Sequence, residues 1–141
     1  MAEVLLTQET LRLIAAFERL TRVPVKDCVE GDSKIIFLVN ADEVRKAVGK
    51  GREKIHKLRN VLKKDVDVVG YSPDTEQFVR SLFFRYGVKS VSLDTLPDGL
   101  LATVTVDAKD RGRAIGKGRR NLNLAKEMAA RHSDVRDIRV R

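Results

Sequence analysis

The chain carries the same four residues twice, Gly49-Lys50-Gly51-Arg52 and Gly116-Lys117-Gly118-Arg119, at an offset of 67 residues. The match runs beyond these residues: Val39/Val106, Ala41/Ala108, Ala47/Ala114, Asp67/Asp134 and Val68/Val135 are identical at the same offset. Two copies at this period are too few and too long for a solenoid, so the chain reads as a duplication. Any fold must therefore place one glycine-rich basic turn at the same point of two units. With 141 residues in all, each unit is a small domain with a modest core.

The pattern along the first copy predicts a helix over 8–20, with Leu13, Ala16, Phe17 and Leu20 on one side, Leu11, Ile14 and Ala15 widening it, and Thr7 as N-cap. Pro24 marks its exit. Residues 25–30 read as a strand and Gly31-Asp32-Ser33 as a turn. The run Ile35-Ile36-Phe37-Leu38-Val39 is too short for a helix and predicts a buried strand. Asn40 and Glu43 have capping-box spacing, which predicts a helix over 41–48. After the glycine loop, Ile55, Leu58 and Leu62 predict a helix over 53–63, and 66–69 a closing strand.

Gly70-Tyr71-Ser72-Pro73 reads as a short linker that also caps the next helix, with Ser72 as N-cap and Pro73 in the first turn. The second copy then repeats the order. It has a helix over 73–85 burying Phe78, Val79, Leu82 and Phe83 and ending at Gly87, a strand from Val88, a hairpin turn at Leu96-Pro97-Asp98-Gly99, and a strand over 101–106. Asp107 and Asp110 replace Asn40 and Glu43. The helix after the second loop carries Leu122, Leu124, Ala125, Met128 and Ala129. The last strand has Val135 and Ile138 three apart, which predicts a register break or bulge. Each copy reads αββααβ, an α+β plan, with units at 1–70 and 71–141. With no Trp and 5% aromatics, an aliphatic core is expected.

The charge is unevenly spread. Residues 41–64 hold nine Lys/Arg against three Asp/Glu, and 108–131 hold eight against two. These windows carry +12 on a chain of net charge +8, which leaves −4 on the rest. Clustering of cations around two copies of one loop points to a polyanion, although a solvated helix–helix turn is the plain alternative. Glycine lets a backbone approach a ligand closely, and the N–H groups opening the next helix suit a phosphate. A nucleotide-binding P-loop is excluded, since a helix precedes the loop and no Ser or Thr follows Gly-Lys. A dinucleotide Gly-x-Gly-x-x-Gly motif lacks its third glycine.

The αββααβ order with Val-Gly-Lys-Gly-Arg and Ile-Gly-Lys-Gly-Arg between the central helices resembles a type II KH domain, twice, each a three-stranded sheet packed on helices. The stretch Ala114-Ile115-Gly116-Lys117-Gly118-Arg119-Arg120-Asn121-Leu122 resembles the NusA family of transcription factors, in its short archaeal form. The resemblance implies single-stranded RNA as ligand, about four nucleotides per domain, in transcription elongation or termination control. It implies RNA contacts at Gly49, Lys50, Gly51, Arg52, Gly116, Lys117, Gly118, Arg119 and Arg120, and a base groove walled by Val48, Ile55, Ile115 and Leu122. For these four, ordinary core is an equal alternative. RNA polymerase is the further partner implied, and a ribosomal or RNA-processing factor or a protein adaptor is the alternative role. Two departures stand out. The KH loop ends in glycine where this chain has Arg52 and Arg119, and the chain begins at the first KH helix, without the extra domains of bacterial NusA.

Other residues carry less. No apolar run reaches membrane-span length, and Met1 to Leu6 has no signal-peptide features. A lone Cys28 forms no internal disulfide, so the reducing cytoplasm is the expected compartment; a monomer is expected. His56 and His132 lack partners at metal or triad spacing, and Asp65/Asp67 and Asp134/Asp137 read as polarity beside the last strands. No catalytic constellation, metal or cofactor site is expected.

Overall fold

A computed structural model of the chain describes residues 7–141; the opening stretch, inspected above for a signal peptide, lies outside them. Two units divide the described residues between Tyr71 and Ser72. The first contains α1 (Gln8–Thr21), β1 (Asp27–Glu30), β2 (Lys34–Asn40), α2 (Val44–Val48), α3 (Glu53–Leu62) and β3 (Asp65–Tyr71). The second contains α4 (Thr75–Leu82), β4 (Val88–Leu96), β5 (Gly99–Val106), α5 (Arg111–Ile115), α6 (Arg120–His132) and β6 (Val135–Val140).

Each unit holds one three-stranded sheet, in the order β1-β2-β3 or β4-β5-β6. The first pair is antiparallel, with Val29 opposite Ile36 and Val91 opposite Val104. The second is parallel, with Phe37 opposite Val68 and Ala102 opposite Ile138. A parallel pair needs a long crossover. Here the crossover is a helix pair, α2–α3 or α5–α6, and the glycine loop is its midpoint. The topology thus fixes where the loop lies.

In the first unit Leu13 and Phe17 of α1 pack with Ile35, Phe37 and Val39 of β2, and with Ala47, Ile55, Leu58 and Val66. The rings of Phe17 and Phe37 stack at 4.3 Å between centroids. Burial of each ring contributes about 1.5–3 kcal/mol. The apolar side of α1 is narrower than its sequence suggests, because Leu11 and Ala15 are exposed. Thr21 closes it instead: its hydroxyl donates to the Phe17 carbonyl (2.9 Å) and accepts from the Val23 N–H (3.1 Å), which satisfies a buried polar group where the chain leaves the helix. Thr7 caps α1 as expected, accepting from the Thr10 N–H. The core is less aliphatic than composition implies, since Phe17, Phe37, Phe78 and Phe83 are all fully buried.

Several local expectations are corrected. Asn40 and Asp107 make no side-chain cap. Each precedes a 3₁₀ turn, Ala41–Glu43 or Ala108–Asp110, so the helices leading to the loops start at Val44 and Arg111 and have five residues. Gly70 and Tyr71 are not linker but the end of β3, where a side chain at position 70 would meet the Ala41 backbone at 3.0 Å. The cap of α4 is Asp74, which accepts from the Gln77 N–H; Ser72 instead accepts from the Asp74 N–H, one step outside the helix. The helix expected over 73–85 ends at Leu82 and continues as the 3₁₀ turn Phe84–Tyr86. The register break at the last strand is present: Leu100 pairs Val135 but Leu101 pairs Asp137, so Arg136 is the extra residue. β4 is a nine-residue edge strand whose side chains are mostly exposed.

Candidate nucleic-acid interface

α2 ends at Gly49, whose N–H closes the last turn on the Arg45 carbonyl (3.0 Å), and α5 ends at Gly116 in the same way on Gly112 (2.8 Å). Both glycines turn to positive φ, Gly49 at φ 80, ψ 169 and Gly116 at φ 79, ψ 162. A tight turn follows, closed by the Arg52 N–H on the Gly49 carbonyl (3.2 Å) and the Arg119 N–H on the Gly116 carbonyl (3.0 Å). Within it Gly51 and Gly118 are left-handed, at φ 61, ψ 22 and φ 62, ψ 24. So are Arg52 and Arg119, at φ 62, ψ 26 and φ 65, ψ 20. The two loops agree within a few degrees throughout and are one structure made twice.

The glycines do different work. A Cβ on Gly49 would stand 2.9 Å from Lys54 Cγ, and one on Gly116 would stand 2.8 Å from the Asn121 backbone nitrogen. The first glycine is therefore demanded by the fold. A Cβ on Gly51 or Gly118 would meet nothing within 4 Å. The inner glycine leaves its backbone bare toward solvent, where a ligand can approach it. The fourth position has a left-handed backbone of the kind glycine favours, yet holds arginine: Arg52 and Arg119 adopt that conformation and add a cation.

The sequence reading missed the residue that braces each loop. Lys54 Nζ donates to the carbonyls of Lys46 (2.8 Å) and Thr21 (3.4 Å), at the ends of α2 and α1. At the offset position Asn121 Nδ2 donates to the Ala114 carbonyl near the end of α5 (2.6 Å). Orphan carbonyls at a helix end are thus capped from the first turn of the next helix, and this sets the angle across the loop. The Lys54 cation also lies at the negative end of two helix dipoles. A polar side chain two residues past each loop was the available signal.

Lys50, Gly51, Arg52, Lys117, Gly118, Arg119 and Arg120 are exposed, and Gly49 and Gly116 half-buried. Lys50, Arg52, Lys117 and Arg119 make no ion pair with a described residue. The N-cap residues of α3 and α6, Arg52 and Arg119, make no side-chain cap bond. The four residues proposed as groove wall separate into two pairs. Ile55 and Leu122 are buried, 1% and 3% exposed, and serve the core. Val48 and Ile115 are half-buried and retain surface beside the loops.

Three of the four aspartates beside the last strands, all but Asp134, are engaged in ion pairs. Asp65 meets Arg59 at 2.8 Å, Asp67 meets Lys34, and Asp137 meets Lys126 at 2.9 Å. The hydrogen bond from Lys126 holds the Asp137 carboxyl below the usual carboxylate range, against a smaller opposing effect of burial. Cys28 is buried, His56 exposed and His132 half-buried.

Fold and site together define a class: a duplicated α+β protein that presents one open, cationic glycine loop from the crossover of each unit. No protein-family model matches the chain. It is 32% identical over 141 residues to the probable transcription termination protein NusA of Thermoplasma acidophilum, covering the whole of this chain and 98% of that protein. The protein of the same name from Methanocaldococcus jannaschii is 31% identical over 140 residues, 99% of this chain and 76% of its own length. That of Halobacterium salinarum is 34% identical over 135 residues, 96% of each. The crystal structure of APE1850 superposes with a TM-score of 0.73 at 32% identity, over 96% of this chain and all of its own. The chain belongs to the archaeal NusA family. Among the described residues, no helix is long and apolar enough to cross a membrane.

Proposed function

We propose that this chain binds single-stranded RNA through both glycine loops and acts in the control of transcription elongation or termination. The observation that carries the RNA reading is the loop itself, formed twice with closely similar backbone angles, bare at Gly51 and Gly118, and bearing Lys50, Arg52, Lys117 and Arg119, which make no ion pair with a described residue. The name shared by the relatives supports the transcriptional setting.

Each unit, the first ending at Tyr71 and the second starting at Ser72, is read as a type II KH domain. The αββααβ order, the antiparallel and then parallel strand pairs, and the four-residue loop between the crossover helices all support that assignment. In this arrangement a loop grips the phosphates of about four nucleotides. Lys50, Arg52, Lys117 and Arg119 neutralise phosphates, with Arg120 beside them, and the N-termini of α3 and α6 add positive potential. Val48 and Ile115 offer apolar surface to the bases. RNA polymerase is the protein partner in this reading, and the chain works as a monomer in the cytoplasm, without cofactor or catalytic group.

The test is the Lys50→Asp/Lys117→Asp double variant, assayed by fluorescence anisotropy with a labelled single-stranded RNA at several salt concentrations. Both side chains are exposed, so the fold is retained. Affinity should fall, and the salt dependence should flatten because fewer counterions are released. Unchanged affinity in the double variant overturns the reading.

A further inference from the structure

The second unit exposes an aromatic ring that neither the core nor the loop uses. Phe84 lies in the 3₁₀ turn Phe84–Tyr86 and is 81% exposed, while Phe83 before it is fully buried and Tyr86 after it nearly so. The turn is thus anchored on both sides, and Phe84 is the residue left outside. At the 67-residue offset Phe84 falls on Phe17, the buried ring that stacks on Phe37; the position matching Phe37 is Val104, so the second unit has no such aromatic pair there.

The surroundings are cationic. The turn packs against α5, the five-residue helix that ends at Gly116. The guanidiniums of Arg85 and Arg113 lie 5.9 and 5.8 Å from the Tyr86 ring centroid. Arg113 also pairs with Asp110 (2.6 Å), which fixes its position. Arg85, Lys109, Arg111 and Arg113 are all exposed. A five-residue helix is about 7.5 Å long, so the turn lies within a short reach of the second loop. An exposed aromatic among arginines is the pattern by which proteins hold single strands: bases stack on the ring and cations follow the phosphates.

We infer that Phe84 is a base-stacking site for single-stranded RNA, extending the track of the second loop along α5 past Arg113 and Arg85. This rests on the single-stranded RNA reading given above. The charge selects the occupant, since an exposed ring adjoining Arg85, on a turn packed against the helix that bears Arg111 and Arg113, suits a polyanion with flat apolar faces better than an apolar protein surface.

The chain has no Trp, so Phe84→Trp installs a unique fluorophore at the site. Titrating this variant with a twelve-nucleotide single-stranded RNA should quench its emission over the concentration range in which anisotropy reports binding. Heparin, a polyanion without bases, should bind with little quenching. Phe84→Ala should weaken RNA binding by about 5- to 150-fold, the loss typical of one stacked base. RNA binding with unchanged Trp emission overturns the inference and leaves the loop reading intact, as does equal quenching by heparin. Quenching that persists in Phe84→Trp combined with Lys50→Asp/Lys117→Asp, at undiminished affinity, supports the stacking site and overturns the loops. If the unaltered chain does not bind RNA, both fall.

Discussion

Replacing Arg52 and Arg119 by glycine separates what the fold wants at the fourth loop position from what a ligand wants. Both arginines sit in the left-handed region, at φ 62 and φ 65. That conformation costs a residue with a Cβ about 1–2 kcal/mol. Glycine adopts it freely but loses about 0.5–1 kcal/mol more chain entropy on folding. Their difference predicts that each Arg→Gly change stabilises its unit by about 0.5–1 kcal/mol. The sites lie in different units and share no described side-chain partner, so the effects should add. Urea unfolding of single and double variants measures this. RNA binding should move the other way. Losing one phosphate contact per loop lowers the slope of log affinity against log salt by about 0.7 each on a single strand, hence about 1.4 for the pair. The expected outcome is a more stable protein that binds RNA more weakly and with less salt dependence. A double variant less stable than the parent by 1 kcal/mol or more would falsify the strain argument; an unchanged salt slope would show that neither arginine touches phosphate.

Two further outcomes are expected. Gly116→Ala puts a methyl against the Asn121 backbone and should cost about 1–3 kcal/mol in urea unfolding, whereas Gly118→Ala meets no neighbour, should cost about 1 kcal/mol, and should impair RNA binding out of proportion to that loss; equal stability losses at the two positions would contradict their assigned roles. Lys126→Met removes the main cause of the lowered Asp137 pKa. The folded carboxyl titrates below its unfolded counterpart, so the pair stabilises the protein above the unfolded value and that stability vanishes as pH falls through the folded one. The variant should therefore be weaker than the parent at neutral pH and converge with it in acid, and a gap that stays constant across that range rules this out.

The sequence shows most clearly what is repeated. The 67-residue offset, the loop residues and the αββααβ order depend on local patterns that tertiary structure did not override. The Pro97-Asp98 turn joins β4 to β5 as its residues dictate, with Leu96 paired to Gly99. Boundaries read less well because caps compete. Ser72 and Asp74 can both accept an early N–H, and only the fold decides that Asp74 starts the helix. Asn40 and Asp107 have suitable side chains, but a 3₁₀ turn follows each and no cap bond forms. Ile55 and Leu122 look like groove wall from spacing alone, while their burial depends on which side of α3 and α6 meets the sheet. The braces Lys54 and Asn121 were hidden because they differ in type, and only their shared acceptors, carbonyls at the ends of α2 and α5, reveal a common task.

β4 has a bearing on how the protein survives at high concentration. A nine-residue strand at the margin of a sheet offers a row of unpaired backbone donors and acceptors, which is a template for another chain to add to. This margin is guarded. Lys89 and Asp94 place opposite charges along it, Ser90 and Ser92 keep it wet, the pairing slips between Val88 and Ser90, and Pro97 stops it at the far end. A second strand arriving there would have to desolvate both charges and match a broken register. The same residues that look like indifferent surface thus act as a barrier to self-assembly into fibrils, in a protein whose β4 would otherwise be its most exposed adhesive edge.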